Sequence, residues 1–216
     1  MTSLGQPFSH DEWRVADVAV SYVQNGFLAG TTAVTLGIAQ GLPIFGARSN
    51  GALDQSRPGA HNDFTKLTGS LRRGQAIYGG FNLAFSAQWQ YAFAPLVTGE
   101  QIAFGGDTIG RGYDPSVLEG DHGIGASLEL RYDYRLNDSF VESVQPYAFF
   151  DAAEVWNWSG GVTGGNSLSS AGGGVRFGLP YNISAGIEYA QQFSHLANND
   201  NGHIGGRVLF NAAMRF

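Results

Sequence analysis

The stretch Gly123–Leu136, GIGASLELRYDYRL, decides the fold. Ile124, Ala126, Leu128, Leu130, Tyr132, Tyr134 and Leu136 fall on one parity. Gly123, Gly125, Ser127, Glu129, Arg131, Asp133 and Arg135 fall on the other. Successive side chains of a strand point to opposite faces, whereas a helix gathers residues three and four apart. A strict period of two over fourteen residues predicts one long strand with an apolar and a polar face, and it excludes a helix.

The same alternation extends outward in both directions. Leu83, Phe85, Ala87, Trp89, Tyr91 and Phe93 oppose Asn82, Ala84, Ser86, Gln88 and Gln90. Val175, Phe177 and Leu179 oppose Gly174, Arg176 and Gly178. Ile183, Ala185, Ile187 and Tyr189 oppose Asn182, Ser184, Gly186 and Glu188. Nine such segments are expected, near 12–24, 30–41, 63–73, 78–92, 123–136, 143–156, 168–179, 182–192 and 204–216. Short turns fall at 24–29, 73–77, 137–142 and 179–182, and long polar loops at 42–62, 93–122, 157–169 and 193–203. Short turns on one rim and long loops on the other are the arrangement of an outer-membrane barrel. The expected fold class is all-β: an antiparallel transmembrane β-barrel segment of about nine long strands. Residues 1–11 read as a polar tail and 12–216 as barrel.

Composition agrees. The chain has 216 residues, with 32 Gly, 13% aromatic residues and only 14% charged ones. So much glycine weakens helices, and so many aromatics with so few charges argue against disorder. A net charge of −6 argues against a nucleic-acid partner. The absence of cysteine excludes disulfides and thiolate metal sites. Mean hydropathy is −0.11, and no apolar run approaches the ~20 residues of a membrane helix. A strand-built membrane protein has no such run either, because its faces alternate. The N-terminal MTSLGQPFSHDEW lacks the charged-then-apolar pattern of a signal peptide.

Alternation alone fits a soluble cup of the lipocalin kind as well as a membrane barrel. The polar faces favour the barrel, since they carry Gly, Ser, Asn, Gln, Glu and Arg with a single lysine, Lys66, in the whole chain. A solvated face is usually Lys/Glu-rich. Trp89, Tyr91, Tyr132, Tyr134 and Tyr189 sit near segment ends, where interfacial aromatics belong. The last segment alternates through Val208, Phe210, Ala212 and Met214 to a terminal Phe216. Such an ending resembles the C-terminal signal read by the outer-membrane insertion machinery, with Phe210, Met214 and Phe216 as its residues.

The loop before Gly123 reads FAPLVTGEQIAFGGDTIGRGYDPSVLEGDHG. It holds Gly105-Gly106, then Ile109-Gly110-Arg111-Gly112-Tyr113, then Gly120-Asp121-His122-Gly123, and it leads to Glu129-Leu130-Arg131. Upstream lie Gln40-Gly41-Leu42-Pro43-Ile44 and Asp63-Phe64-Thr65-Lys66-Leu67; downstream lies Phe149-Phe150-Asp151. This set, at this spacing over residues 12–216, resembles the two-partner secretion transporters, the haemolysin secretion/activation (ShlB/FhaC/HecB-like) family of the Omp85 superfamily. Two positions depart from the family pattern: Gly110 stands where Val is usual before the Arg, and Ala153 where Gly follows the strand Asp. The first departure is expected to touch loop packing more than the role of the Arg.

The resemblance implies the C-terminal part of a sixteen-stranded barrel, without counterparts here of the family's POTRA domains, plug helix and first strands. Nine strands ending in the periplasm put Met1 outside, so at least one strand is expected to be missing or supplied elsewhere, as in a truncated transporter. The resemblance also implies that loop 93–122 folds into the lumen and that Arg111 pairs with Asp151. From the residues alone, flanking glycines put Arg111 at an exposed tip, where a guanidinium suits a carboxylate, and a solvated loop charge is the alternative. The pair is expected to sit in a partly wet lumen. Phe149, Glu129, Arg131 and Arg176 are further candidates for that wall.

Other motifs carry little. GGDTIGRG lacks the ending of a phosphate loop, and the five histidines show no ligand spacing. Asn198–Gly202 lacks the closing Glu of a calcium loop. No cofactor, metal or catalytic residue is expected. The expected function is export of a large partner exoprotein across the outer membrane of a Gram-negative bacterium, with membrane lipids and lipopolysaccharide around the barrel. The alternatives are a passive structural or pore-forming barrel, and an outer-membrane enzyme, for which no Ser/His pair is convincing.

Overall fold

The computed structural model describes residues 2–3, 6–7, 9–52, 54–136, 140–158, 167–194, 196 and 204–215. Its strands in chain order are β1 (Thr2–Ser3), β2 (Gln6–Pro7), β3 (Val15–Phe27), β4 (Gly30–Gly41), β5 (Thr65–Ala76), β6 (Phe81–Ala92), β7 (Ile102–Phe104), β8 (Leu118–Gly120), β9 (His122–Tyr132), β10 (Tyr134–Arg135), β11 (Ser143–Trp156), β12 (Ser167–Leu179), β13 (Ile183–Gln192) and β14 (Gly206–Met214). One antiparallel sheet runs β3-β4-β5-β6-β9-β11-β12-β13-β14, each strand beside the next long strand in sequence. Neighbours in sequence pair because each short turn leaves the next strand nowhere closer to go. The chain is an antiparallel β-barrel segment. Among the described residues its edges, β3 and β14, do not pair with each other. Among the described residues no helix is long and apolar enough to cross a membrane.

Register sorts the side chains into two faces. Leu83, Phe85, Ala87 and Trp89 of β6 lie opposite Leu130, Leu128, Ala126 and Ile124 of β9. Leu130, Leu128 and Ala126 in turn face Ala148, Phe150 and Ala152 of β11. Large apolar side chains on this outer face stay exposed, Ile124, Leu128, Leu130 and Phe150 among them, while Glu129 and Asp151 on the inner face are buried. This inverts a soluble domain and suits lipid outside. Aromatics close the band at both ends. Phe81, Tyr132 and Tyr134 pack ring against ring at the short-turn rim, and Tyr91, Phe93, His122 and Trp158 do so at the other. From Phe81 to Tyr91 a strand rises on the order of 33 Å; tilted about 40°, it spans the ~25 Å of an outer-membrane apolar band.

The buried core is the loop itself, laid on the inner face. Phe104, Ile109, Tyr113 and Leu118 of the loop pack with Ala153, Val155, Leu168 and Leu196. The hairpin β7–β8 stiffens the loop's outer half, pairing Ile102 with Gly120 and Phe104 with Leu118.

Several strand ends differ from expectation. The strand expected over 123–136 breaks at Asp133, whose N–H donates to Gly80 O (2.9 Å) rather than to the ladder. Its carboxylate takes Asn82 Nδ2 (2.6 Å) and Gln145 Nε2 (2.5 Å). The register resumes beyond the break, with Tyr134 opposite Val144. The strand expected over 12–24 runs Val15–Phe27 instead, because Gly26, at φ +84°, sits in a bulge rather than in the turn. Pairing likewise carries the strand expected to end at Arg73 on to Ala76, and the next begins at Phe81 after the turn at Gly79–Gly80.

Candidate functional site

The inner faces of three strands, β9, β11 and β13, converge on one guanidinium. Alternation brings Ser127, Glu129 and Arg131 of β9 and Gln145, Tyr147, Phe149 and Asp151 of β11 to the same side. The pairs Gln145–Arg176, Tyr147–Gly174, Phe149–Gly172 and Asp151–Ser170 continue the row onto β12, and Gly174–Glu188 and Ser170–Gln192 onto β13. A Cβ on Gly172 would lie 2.8 Å from the Phe149 ring, and one on Gly174 2.7 Å from Tyr147 Oη. The two glycines therefore let the rings of β11 lie flat across β12, and a flat ring offers its face to a cation.

Arg111 occupies that face. Its guanidinium carbon lies 3.4 Å from the centroid of Phe149. Nε donates to Asp151 Oδ2 (3.1 Å), and Nη2 to Asp151 Oδ1 (3.0 Å) and Ser127 Oγ (3.1 Å). Nη1 donates to Glu129 Oε2 (2.7 Å) and Glu188 Oε2 (3.3 Å). All five N–H donors of the fork are thus used. Asp151 Oδ2 also accepts the backbone N–H groups of Gly110 (3.1 Å) and Arg111 (3.0 Å). Burial works against the charge of Arg111, and its bonds to Asp151 and Glu129 more than offset this, leaving its pKa above the usual arginine value.

The expectations about this loop need two corrections. Arg111 is not an exposed tip: its side chain is 7% exposed and that of Asp151 0%, so the pair is nearly dry rather than partly wet. The exposed tip is Asp107–Thr108. Gly110 does more than pack, for its N–H binds Asp151 and its φ of +92° disfavours any side chain.

The other sequence candidates fall as follows. Gly105 and Gly106 turn the chain, their N–H groups donating to Ile109 O (2.9 Å) and Tyr113 O (3.1 Å). Gly112 donates to Ser170 Oγ (3.3 Å) and its carbonyl accepts Gln192 Nε2 (2.6 Å). Tyr113 is fully buried, with its hydroxyl 3.0 Å from Ser169 O and 2.9 Å from Ser194 O. Gly120 lies against Val155, and Gly123 against Ile102, Phe104 and Val155. Arg131 Nε (2.6 Å) and Arg176 Nη1 (2.7 Å) both donate to Glu129 Oε1, and Arg176 lies over the Tyr147 ring at 3.7 Å. Asp121 is buried elsewhere, against Arg57. Phe210 and Met214 are exposed on β14; Phe216, His195, His203 and the stretch 198–202 lie outside the described residues.

Sequence reasoning missed Glu188, Ser127 and the Tyr147 hydroxyl, which donates to Glu188 Oε2 (2.7 Å). The polar parity of β13 marks Glu188 as inward-facing, but its meeting with Arg111 depends on the loop's fold. The arrangement holds a loop; among the described residues no group of acidic or histidine side chains is placed to hold a metal.

The family model described as haemolysin secretion/activation protein ShlB/FhaC/HecB matches residues 8–177. Among solved structures, CdiB from Escherichia coli superposes with a TM-score of 0.76 at 20% identity, over 95% of this chain and 38% of that one. CdiB from Acinetobacter baumannii gives 0.67 at 14% identity, over 91% of this chain and 33% of that one. The chain thus spans about a third of the length of either. No curated protein sequence matches it.

Proposed function

Because the chain belongs to the haemolysin secretion/activation family ShlB/FhaC/HecB, we propose that it forms part of the wall and the lumen loop of an outer-membrane transporter that exports a partner exoprotein by two-partner secretion. Residues 12–216 act as one barrel unit with 1–11 as a flanking tail. The outer face meets lipid and lipopolysaccharide in a Gram-negative outer membrane, and the last strand engages the insertion machinery. No chemistry is performed on the cargo. The observation that carries the reading is the burial of Arg111 among Asp151, Glu129 and Glu188. A loop fixed so firmly to the inner wall narrows the route through the barrel, and ordering about thirty residues has a large entropic cost that a structural barrel has no use for.

The test is export itself. The protein and a candidate partner exoprotein are produced together in a Gram-negative host, with and without Arg111→Ala. We expect the variant to lose export while remaining inserted and folded, as judged by heat-modifiable migration. Export undiminished by the substitution would contradict the reading, and a host that exports nothing even with the unaltered protein would favour the passive barrel.

A further inference from the structure

At the rim of the long loops a second carboxylate, Asp121, is 0% exposed. Arg57, from the loop between β4 and β5, grips it with both ends of its fork, Nη1 on Oδ1 and Nη2 on Oδ2 (2.8 Å). Asp121 Oδ1 also accepts the N–H of Leu96 (2.9 Å), at the start of the loop that Asp121 ends. Its Oδ2 accepts the N–H of Trp158 (3.0 Å), at the start of the loop after β11. Arg57 reaches on to Leu96 O (2.8 Å) and Asn157 Oδ1 (3.0 Å). Asn157 Oδ1 further accepts Gln101 Nε2 (3.1 Å). Three separate loops therefore meet on one buried ion pair, and none of these residues bonds to the Arg111 cluster.

We propose that Arg57 and Asp121 are positioning residues forming a second, independent fastening of the lumen loop, which closes its two ends together and ties its root to Arg57 of one neighbouring loop and to Asn157 and Trp158 at the start of the other. Arg111 fixes the middle of the loop to the wall; Arg57 fixes its root to its neighbours. A bidentate arginine suits the task because its planar fork matches a carboxylate and fixes direction as well as distance. That the fastened lumen loop lies across the path of an exported chain rests on the reading above; that the pair fastens its root does not.

Hydrogen exchange of the full chain, refolded in vesicles of outer-membrane lipid, separates the two. Arg57→Ala, Asp121→Asn, their double variant and Arg57→Lys are compared with the unaltered protein. Losing a buried charged hydrogen bond corresponds to about tenfold or more in an opening equilibrium. We expect the amides of Leu96 and Trp158, and the peptide around Arg57, to exchange about tenfold faster in each single variant. The double variant should be no faster than the singles, because each already removes the same pair. The amides around Arg111, and those of β11 and β12, should keep their protection. Arg57→Lys, which retains charge without the fork, should fall between; it is the deciding variant if Arg57→Ala loses the protection of the strands. Unchanged exchange, effects that multiply in the double variant, or simultaneous release of the Arg111 region would overturn the proposal. Failure of export with exchange as expected would instead touch only the transport reading.

Discussion

A buried arginine whose five donors are all used gives each neighbour a different weight. Asp151 takes two bonds from the side chain and two from the backbone, whereas Glu188 takes one long bond from Arg111 and one from Tyr147. Asp151→Asn should therefore cost about 3–5 kcal/mol, the usual effect of breaking a buried pair. Glu188→Gln, which keeps an acceptor for Tyr147, should cost nearer 1 kcal/mol. Urea unfolding of the chain in detergent measures both, and the reverse order would show that Asp151 is not the principal anchor. The rim pair responds to acid. Burial alone would raise the Asp121 carboxyl, but Arg57 and the amides of Trp158 and Leu96 hold it below the usual carboxylate value. A carboxyl lowered on folding stabilises the fold above its unfolded value of ~3.9 and loses that contribution as pH falls through the lower folded value. Facing it are the guanidinium of Arg57, the amides of Gln101 and Asn157, and the adjoining imidazole of His122. Trp158 emission should thus hold steady down to about pH 4 and change only below it, and Asp121→Asn should abolish that late transition. At this scale Arg111 and Asp151 were legible, because both sit in a motif. Arg57 and Glu188 were not, since their partners are brought in by loop packing and register, which no local pattern encodes.

The nine long strands, each nine residues or longer, were legible where a period of two runs along them, most clearly in β6, β9 and β13. Their ends were less so, for Gly26 bulges within a strand where glycine ordinarily suggests a turn, and Asp133 breaks a ladder although the alternation runs on past it. The two faces make opposite demands on substitution. Leu128→Arg puts a charge on the exposed outer face and should cost about 2–4 kcal/mol in a bilayer if that face meets the lipid midplane. Unfolding from vesicles tests this, and indifference to the charge would mean that the outer face is wet. On the inner face, Gly174→Val would force a side chain into the Tyr147 ring. Overpacking of this kind typically costs about 1–3 kcal/mol, and here it should also displace Arg176 from the ring, visible as altered tyrosine fluorescence.

At the scale of the whole molecule, a sheet of nine long strands ends in two edges, with its longest described loop folded over the inner face. Purified alone into planar bilayers, such a chain should give no large, stable channels, because nine strands enclose too narrow a lumen for a pore once the loop is inside. The alternating short and long connections were readable from turn residues. The inward fold of the loop was implied by the family resemblance alone and not by alternation or turn residues, because its core of Phe104, Ile109, Tyr113 and Leu118 is complete only against Val155 and Leu168 of the wall. That inward fold is the central claim, and the absence of cysteine allows it to be tested directly. A Cβ built on Gly112 lies 3.0 Å from the Cβ of Ser170, close to the ~3.5–4.5 Å spanned by a disulfide. Gly112→Cys with Ser170→Cys, produced in the outer membrane of a Gram-negative host, should form a cross-link visible as a reducible shift on a gel. A loop lying outside the barrel predicts the contrary: no cross-link, and ready labelling of the thiol introduced by Gly112→Cys with a membrane-impermeant maleimide added to whole cells.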